Sequence, residues 1–480
     1  MVLKLYNTMS GKKEEFEILD ISDPFKTEKS KKDWVGFYGC GPTVYWYQHI
    51  GNLRRYIFED ILYRALVFNG YNVKHIINVT DVGHLTSDQD EGEDKMEVSA
   101  RKEKKSAQKI AKHYFNAFEK DLEKLNFKKP DVWAWATDHI KEQIELIKIL
   151  EEKGYTYFTS DGIYFDTSKL DDYGKLANID VEELEAGKRI CMGEKRNKTD
   201  FALWKFSKEP GKRQQEWNPK EIVSGLSDSW AIGYPGWHIE CSAMSSKYLG
   251  ERFEIHTGGI DHIQVHHTNE IAQAESAYGK KPWVRYWLHS GHLRLKEGKL
   301  SKSEGGIITL SELQEKGYSP MEFKYLCLTT HYRKPLIFSF ENLDASKNAY
   351  KRLKENLLTI QDENKNDGVI NEGYLKKFQE AINDDLNMPE AIQVLWNLVR
   401  DEKAKGKYQT IKKMDEVFAL GLLSSQGEES VPEEIQDMLK EREAARKEKD
   451  FEKADKLRDE IQARGYKIID TSEGPKLRKI

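Results

Sequence analysis

The chain has 480 residues, of which 38% are hydrophobic, 11% aromatic and 33% charged, with a formal net charge of −5 at pH 7. That length exceeds what one core can organise and points to roughly three to five units, and the apolar fraction excludes wholesale disorder. No run of about 18 apolar residues exists to cross a membrane, MVLKLYNTMSGKKEEF lacks the apolar stretch and cleavage site of a secretion signal, and Cys40, Cys191, Cys241 and Cys327 lie too far apart for a disulfide framework. A cytoplasmic protein with no membrane partner is therefore expected, and the net charge neither demands nor excludes nucleic acid, because phosphate binding depends on local basic patches.

In chain order, a strand over Trp34 to Tyr38, a helix over Leu53 to Asn69 and a strand over Val73 to Val79 come first. A strand–helix–strand order predicts a parallel sheet with a crossover helix and a ligand site at the C-terminal strand ends, where Cys40 and His49 fall. Residues 87–105, SDQDEGEDKMEVSARKEKK, read as a solvated charged insertion or loop. A helix over Ile140 to Leu150 follows, then YTYFTSDGIYFDTS, where Asp161-Gly162 between aromatic alternations predicts a hairpin. Residues 136–225 thus read as an inserted α+β unit.

Strand-like pieces return at Phe253 to His256 and Tyr286 to Leu295, as the parallel sheet resumes. From about residue 341 the pattern is helical, with Tyr350, Leu353, Leu357 and Ile360 on one face and Ile392, Leu395 and Val399 on another. Asn387 followed by Met388-Pro389 reads as a helix start, and SSQGEES at 424–430 as a linker. KEREAARKEKDFEKADKLRDEIQARG reads as one charged helix with Phe451, Ala454, Leu457 and Ile461 facing inward and Gly465 ending it.

Five of the thirteen histidines lie between 238 and 267, around Cys241, in GWHIECSAM and IHTGGIDHIQVHHTNE. His266 and Glu270 are spaced i, i+4 and share a helix face. Thiolate, imidazole and carboxylate in this combination suit zinc, with Cys40 and Cys241 as the thiolate candidates. There is no C-x-x-C, and buried cysteines commonly act as small hydrophobes, so spacing alone leaves both readings open. His262 and His267 read as supporting or structural residues.

His49 and Asn52 fall in the first turn of a helix that starts at a strand end, where free N–H groups and the dipole favour phosphates. A capping pair with no ligand fits the same two residues. GKLSKSEGG at 298–306 places Lys299 and Lys302 among small flexible residues, a loop able to close on a polyphosphate or simply an exposed basic turn.

Taken together, a strand ending in CGPT, HIGN at a helix start and KLSKS about 250 residues later resemble the HIGH and KMSKS motifs of class I aminoacyl-tRNA synthetases. With GWHIECSAM, IHTGGID, HHTNE and DDLNMPEA added, the chain resembles the cysteinyl-tRNA synthetase family from Leu3 to about Asp470. The resemblance implies an α/β fold: a Rossmann-like parallel-sheet catalytic domain with an inserted α+β connective domain, then a C-terminal helical bundle and a small anticodon-binding domain. The implied bounds are 1–135 and 226–295 for the catalytic halves, 136–225 for the insertion, 296–340 for the KLSKS loop and stem-contact region, 341–425 for the bundle and 430–480 for the anticodon-binding domain.

The resemblance further implies one Zn²⁺ per chain held by Cys40, Cys241, His266 and Glu270, with the thiolate of the substrate L-cysteine as an added ligand. It implies ATP with Mg²⁺ as co-substrate, tRNA(Cys) as acceptor and a monomer. His49 and Asn52 are implied to stabilise the reacting phosphates, and Lys299 and Lys302 to hold the β- and γ-phosphates. Trp237 and His256 would line the cysteine pocket, Thr80 would contact the substrate, and Gly258, Gly259 and Asp261 would lie near the adenosine.

Three departures accompany the resemblance. Asn52 stands where HIGH has its last histidine, Leu300 where KMSKS has methionine, and the terminal EGPKLRKI lacks a tryptophan that relatives often carry. Two rivals stand beside this reading: a ligase joining cysteine to an aminosugar on the same zinc domain, and a noncatalytic RNA-binding relative.

Overall fold

A computed structural model of the protein describes residues 2–19, 34–83, 95–178, 194–296, 308–364, 368–423, 433–448, 450–471 and 474–479. The chain forms two compact units, one of Met1–Asn348, Lys376–Val394 and Glu416–Leu420, the other of Ala349–Leu375, Leu395–Asp415 and Gly421–Ile480.

The first unit opens with an antiparallel hairpin, β1 (Lys4–Asn7) and β2 (Lys12–Glu15). Then come β3 (Val35–Gly39), α1 (Ile50–Phe68), β4 (Val73–Val79), α2 (Lys95–Glu103), α3 (Ala107–Lys124) and β5 (Val132–Trp135). Every residue of β3 is buried, as is the second half of β4, IINV, because strands covered by helices on both faces need continuous apolar runs. After α4 (Ile140–Glu152), a four-stranded antiparallel sheet assembles β6 (Thr156–Thr159), β7 (Gly162–Phe165), β8 (Phe201–Phe206) and β9 (Gly233–Pro235) in that order, with the single turn α5 (Pro219–Ile222) between the last two.

The main sheet resumes through α6 (Trp237–Leu249), β10 (Phe253–Gly259), α7 (His266–Tyr278) and β11 (Val284–Ser290). Its order is β11-β10-β3-β4-β5, all parallel. β12 (Leu293–Leu295), α8 (Leu310–Glu315), α9 (Pro320–Leu328) and β13 (Leu336–Phe338) follow, with β12 and β13 paired in parallel.

The hairpin expected around Asp161-Gly162 is present, with Ser160-Asp161 as its turn and Thr159 opposite Gly162. A Cβ at Gly162 would lie 2.4 Å from the Trp204 carbonyl oxygen, so the strand crossing there needs glycine. Two expectations change in this unit. Part of the charged 87–105 segment is the helix α2, because Met96 and Ala100 are spaced i, i+4 and both are buried; residues 84–94 lie outside the described residues.

The strand expected over Tyr286 to Leu295 is two strands, broken at Gly291. There the buried Arg54 of α1 donates to the carbonyl oxygens of Gly291 (2.6 Å), His292 (2.8 Å) and Lys334 (2.6 Å). The Gly291 and Lys334 carbonyls are thus satisfied by a side chain rather than by a ladder, while the His292 carbonyl also accepts from the Leu336 N–H of β13 (2.9 Å), so that β12 leaves the main sheet for β13.

Four further helices, α10 (Phe340–Asn364), α11 (Glu372–Asn383), α12 (Met388–Arg400) and α13 (Lys407–Phe418), have residues divided between the units. Tyr350, Leu353, Leu357, Ile360, Ile392, Leu395 and Val399 are buried as their periodicity predicts, and the Asn387 side chain accepts from the Glu390 N–H at the start of α12. In the second unit, the Lys354 ammonium donates to the carbonyl oxygens of Gly421 (2.7 Å) and Leu422 (3.0 Å). The linker at 424–430 lies outside the described residues.

The last segment departs from the single helix expected. It forms α14 (Glu433–Lys447) and α15 (Phe451–Ala463), then an antiparallel pair, β14 (Tyr466–Thr471) and β15 (Gly474–Lys479). The Asp450 carboxylate accepts from the Lys453 N–H and starts a new helix, so Phe451 sits in its first turn, 62% exposed rather than facing inward. Ala454 and Ile461 are buried as expected, and Gly465 at φ 85° follows the helix end. Among the described residues, no helix is long and apolar enough to cross a membrane.

Candidate metal centre and active-site mouth

In the five-stranded sheet the chain runs outward through β3, β4 and β5 and then returns to add β10 and β11 on the other side of β3. The strand order reverses between β3 and β10, and the crevice outside their C-terminal ends is where open α/β sheets bind ligands. Cys40 follows β3 directly, and its N–H donates to the Thr257 carbonyl of β10 (3.2 Å). The next residue must be glycine: a Cβ at Gly41 would lie 1.5 Å from the Asn78 carbonyl oxygen.

Two helices converge on Cys40. α6 carries Cys241, and α7 carries His266 and Glu270 one turn apart; one ligand atom from each of these four residues lies within 4.8 Å of all the others. All four are buried. Cys241 Sγ is 3.7 Å from His266 Nε2, and Glu270 Oε1 is 3.0 Å from the same nitrogen yet is not aligned for a hydrogen bond with any group. Burial opposes ionisation of Cys40, but contacts with Cys241 and the imidazoles of His267, His262 and His266 hold its thiol well below the ordinary value. Burial and the neighbouring Cys40 push Cys241 well above it, and burial pushes Glu270 well above the usual carboxylate range. One anion is stabilised here and a second and third are opposed, so the donor set fits a dication that would let all of them ionise together.

A second grouping, Cys40, His256, His267 and Glu270, is equally close. Its histidines, however, are already engaged. His256 Nε2 is 2.8 Å from Glu270 Oε2, and His267 links Cys40 Sγ (3.2 Å) to His289 (2.8 Å), whose other ring nitrogen meets the Thr8 hydroxyl (2.8 Å). His238 meets His266 Nδ1 at 2.9 Å. These rings orient the thiol, imidazole and carboxylate of the first grouping, the usual work of groups behind metal ligands.

At the helix entrance, His49 and Asn52 form a reciprocal cap: His49 Nδ1 accepts from the Asn52 N–H (3.2 Å) and Asn52 Oδ1 accepts from the His49 N–H (3.3 Å). The capping reading is thus realised. It does not use up the donors, because an accepting Nδ1 leaves the proton on Nε2, and Asn52 keeps its Nδ2 hydrogens. Partial burial lowers the His49 pKa and keeps the ring neutral. Lys299 and Lys302 lie outside the described residues.

The remaining expected positions fall around the same crevice. Thr80, at the end of β4, donates to Glu240 Oε2 (2.9 Å) and accepts from Asn78 Nδ2 (3.0 Å). Trp237 opens α6 with its ring 5.2 Å from that of His266. Gly258 and Gly259 end β10, where a Cβ would meet the rings of His262 and His267 in the first case and the Asp261 carboxylate in the second.

Three residues escaped the sequence reading. Arg55 donates to the Cys40 carbonyl and to Glu59 Oε1 (2.7 Å), and Glu59 Oε1 also accepts from the Thr257 hydroxyl (2.9 Å). Glu59 Oε2 has no hydrogen-bond partner and occupies the space beside Gly39, 3.0 Å from where a Cβ would stand. Glu240, beside Cys241, holds Thr80. The signal for the first two was an Arg and a Glu spaced i, i+4 within the otherwise apolar run of α1.

The profile of the family described as "tRNA synthetases class I (C) catalytic domain" matches residues 26–348. A protein of Burkholderia lata named cysteine–tRNA ligase 1 is 49% identical over 92% of both chains. The chain belongs to the cysteinyl-tRNA synthetase family. The cysteine–tRNA ligase of Treponema denticola is 43% identical over 98% of each chain, and that of Borrelia garinii 40% over the full length of both. Further profiles, of the DALR domain and the cysteinyl-tRNA ligase anticodon binding domain, match residues 377–423 and 428–474 of this family member. Among solved structures, the methionyl-tRNA synthetase of Mycobacterium tuberculosis bound by methionyl-adenylate shares the fold, with a TM-score of 0.54 at 14% identity over 81% of this chain and 88% of that one.

Proposed function

We propose that this protein is a cysteine–tRNA ligase. In the reaction, the carboxylate of L-cysteine attacks the α-phosphate of ATP to form cysteinyl-adenylate and release pyrophosphate. A ribose hydroxyl at the 3′ end of tRNA(Cys) then attacks the activated carbonyl and AMP leaves. The observation that carries the reading is the convergence of Cys40, Cys241, His266 and Glu270 at the switch point of a class I sheet. Those four residues would hold one Zn²⁺, which when bound supplies a soft Lewis acid that favours a thiol sulfur over a hydroxyl oxygen. Selection of cysteine over serine then needs no editing step, whereas one small difference in an apolar pocket is worth only about 1–3 kcal/mol.

The chain's own residues do the rest by position and charge. His49 Nε2–H and the Asn52 amide would donate to phosphate oxygens as negative charge builds on them, and Lys299 and Lys302 would hold the β- and γ-phosphates with Mg²⁺. Trp237 and His256 would close the cysteine pocket, Thr80 would meet the substrate, and Gly258, Gly259 and Asp261 would border the adenosine. Arg55 would keep the Cys40 carbonyl, and with it the thiol, in place.

The match of residues 428–474 to an anticodon-binding family favours tRNA over an aminosugar as acceptor. The domain bounds follow the same reading: catalytic halves 1–135 and 226–295, insertion 136–225, KLSKS region 296–340, bundle 341–425 and anticodon-reading domain 430–480. The protein would act as a monomer in the cytoplasm. The test is transfer of labelled cysteine to unfractionated tRNA with ATP and zinc-replete protein, with serine as comparison. Charging with cysteine alone is expected; adenylate formation without charging would leave the aminosugar ligase standing, and no cysteine-dependent reaction would leave the noncatalytic RNA binder.

A further inference from the structure

The turn that enters the site, between Cys40 and His49, carries two adjacent aromatic residues that the reaction does not use. Trp46 is 41% exposed and Tyr47 is 44% exposed; with Phe451 they are the only large aromatic side chains left so open among the described residues. Burying either ring would be favourable, so their exposure on a helix entrance calls for an explanation. They are also supported on one side. Both rest on the buried Tyr114 of α3: the Trp46 ring lies 5.6 Å from it at 37°, and Tyr47 packs on it edge to face at 4.9 Å. The Tyr47 hydroxyl is 3.3 Å from His113 Nε2.

The ground around these rings is basic. Lys102 of α2 stands 5.5 Å from the Trp46 ring, and the exposed Lys109 and Lys112 share a face of α3 with His113. None of the three lysines pairs with a carboxylate among the described residues. Between residues 101 and 118 the only acid is Glu103, against Arg101, Lys102, Lys104, Lys105, Lys109 and Lys112.

We propose that Trp46 and Tyr47 form a stacking platform for unpaired bases of the acceptor's single-stranded 3′ end, with Lys102, Lys109 and Lys112 holding its phosphates. The proposal rests on the ligase reading, which brings the 3′ end of the acceptor to the crevice beside this turn. Rings packed on one side and open on the other suit bases, which all have a π-face, and lysines without carboxylate partners suit a polyanion rather than a protein surface of mixed charge. Bases inside a duplex offer no face to the rings, because they are already stacked on both sides.

The probe is a short RNA hairpin with a single-stranded 3′ tail, compared with the same hairpin trimmed blunt, both measured by fluorescence anisotropy against the full-length protein. The wild type should prefer the tailed hairpin by about tenfold or more, the scale of one or two stacked bases. W46A/Y47A should lose that preference while its melting temperature stays within a few degrees. Trp46→Phe/Tyr47→Phe should retain most of it, and Lys109→Ala/Lys112→Ala should weaken the tailed hairpin more than the blunt one and flatten the salt dependence of its binding. Equal wild-type binding of tailed and blunt hairpins, or an unchanged preference in W46A/Y47A, would overturn the platform. If a protein that charges tRNA with cysteine gives either result, the ligase reading survives; failure of charging strikes that reading instead.

Discussion

Cys40, Cys241, His266 and Glu270 reach one point from a strand end and two helices packed on a parallel sheet, each at most 6% exposed. The helix pair α14 and α15 with its small hairpin rests on a cluster of three buried apolar side chains, Ile435, Ile461 and Tyr466. In the first region several elements over-determine every side chain, and the buried charges tolerate little change. In the second a single thin stripe is fixed and the charged surface is free to vary. Chemistry that needs sub-ångström placement belongs on the first kind of frame, and contact with a flexible polyanion can be built on the second.

The contrast can be broken at its strongest point first. Losing one of four ligands from a site worth roughly 10–16 kcal/mol should weaken zinc binding by about 100–1,000-fold in Cys241→Ser, as chelator competition would measure. Unchanged affinity would remove Cys241 from the set. Next, Glu59→Leu leaves the Arg55 guanidinium buried without its carboxylate and should destabilise the first unit by about 3–5 kcal/mol in denaturant unfolding. Arg55→Met/Glu59→Leu should recover most of that stability, while both variants should raise the cysteine KM because the Cys40 carbonyl loses its anchored donor. Recovery of both stability and KM would make the pair purely structural.

On the thin side of the comparison, Ile461→Ala should cost about 2–3 kcal/mol, the low end for a core truncation because few neighbours surround the gap. Tryptophan-free probes such as limited proteolysis should show the change confined to residues 433–479, with cysteine activation by ATP unaffected. The smallest effect is a pH dependence in the first unit. His75 stacks on Phe37 at 4.1 Å with neither ring nitrogen hydrogen-bonded, and burial pushes its pKa down to about 3. The unfolded chain takes up this proton near pH 6.5 and the folded one does not, so stability falls as pH drops from about 6.5 toward 3. At pH 5 the loss should be about 2 kcal/mol, and His75→Phe should abolish that part of the slope.

Much of this was legible in the sequence, for identifiable reasons. β3 and β4 announce themselves as apolar runs because both faces of the sheet are covered, and the four clustered donors stand in segments whose residue types have little other use together. The break at Gly291 was hidden because its cause, Arg54, is 237 residues away. The helix α2 was hidden because two buried positions, Met96 and Ala100, are enough to anchor it among charges. Phe451 looked like core until Asp450 was seen to start a helix and turn it outward. The Arg55–Glu59 pair could be read as a helix-surface contact; only the position of the Cys40 carbonyl shows that it faces the site.

In the proposed ligase, the buried thiol, imidazole and carboxylate cluster selects the substrate by its sulfur. Cysteine-dependent ATP–pyrophosphate exchange, measured on zinc-loaded, chelator-stripped and reloaded protein with serine in parallel, tests it most directly. Exchange with cysteine but not serine, lost on stripping and restored by zinc, is expected. Exchange that persists at full rate without the metal, or that serine supports as well as cysteine, would contradict it.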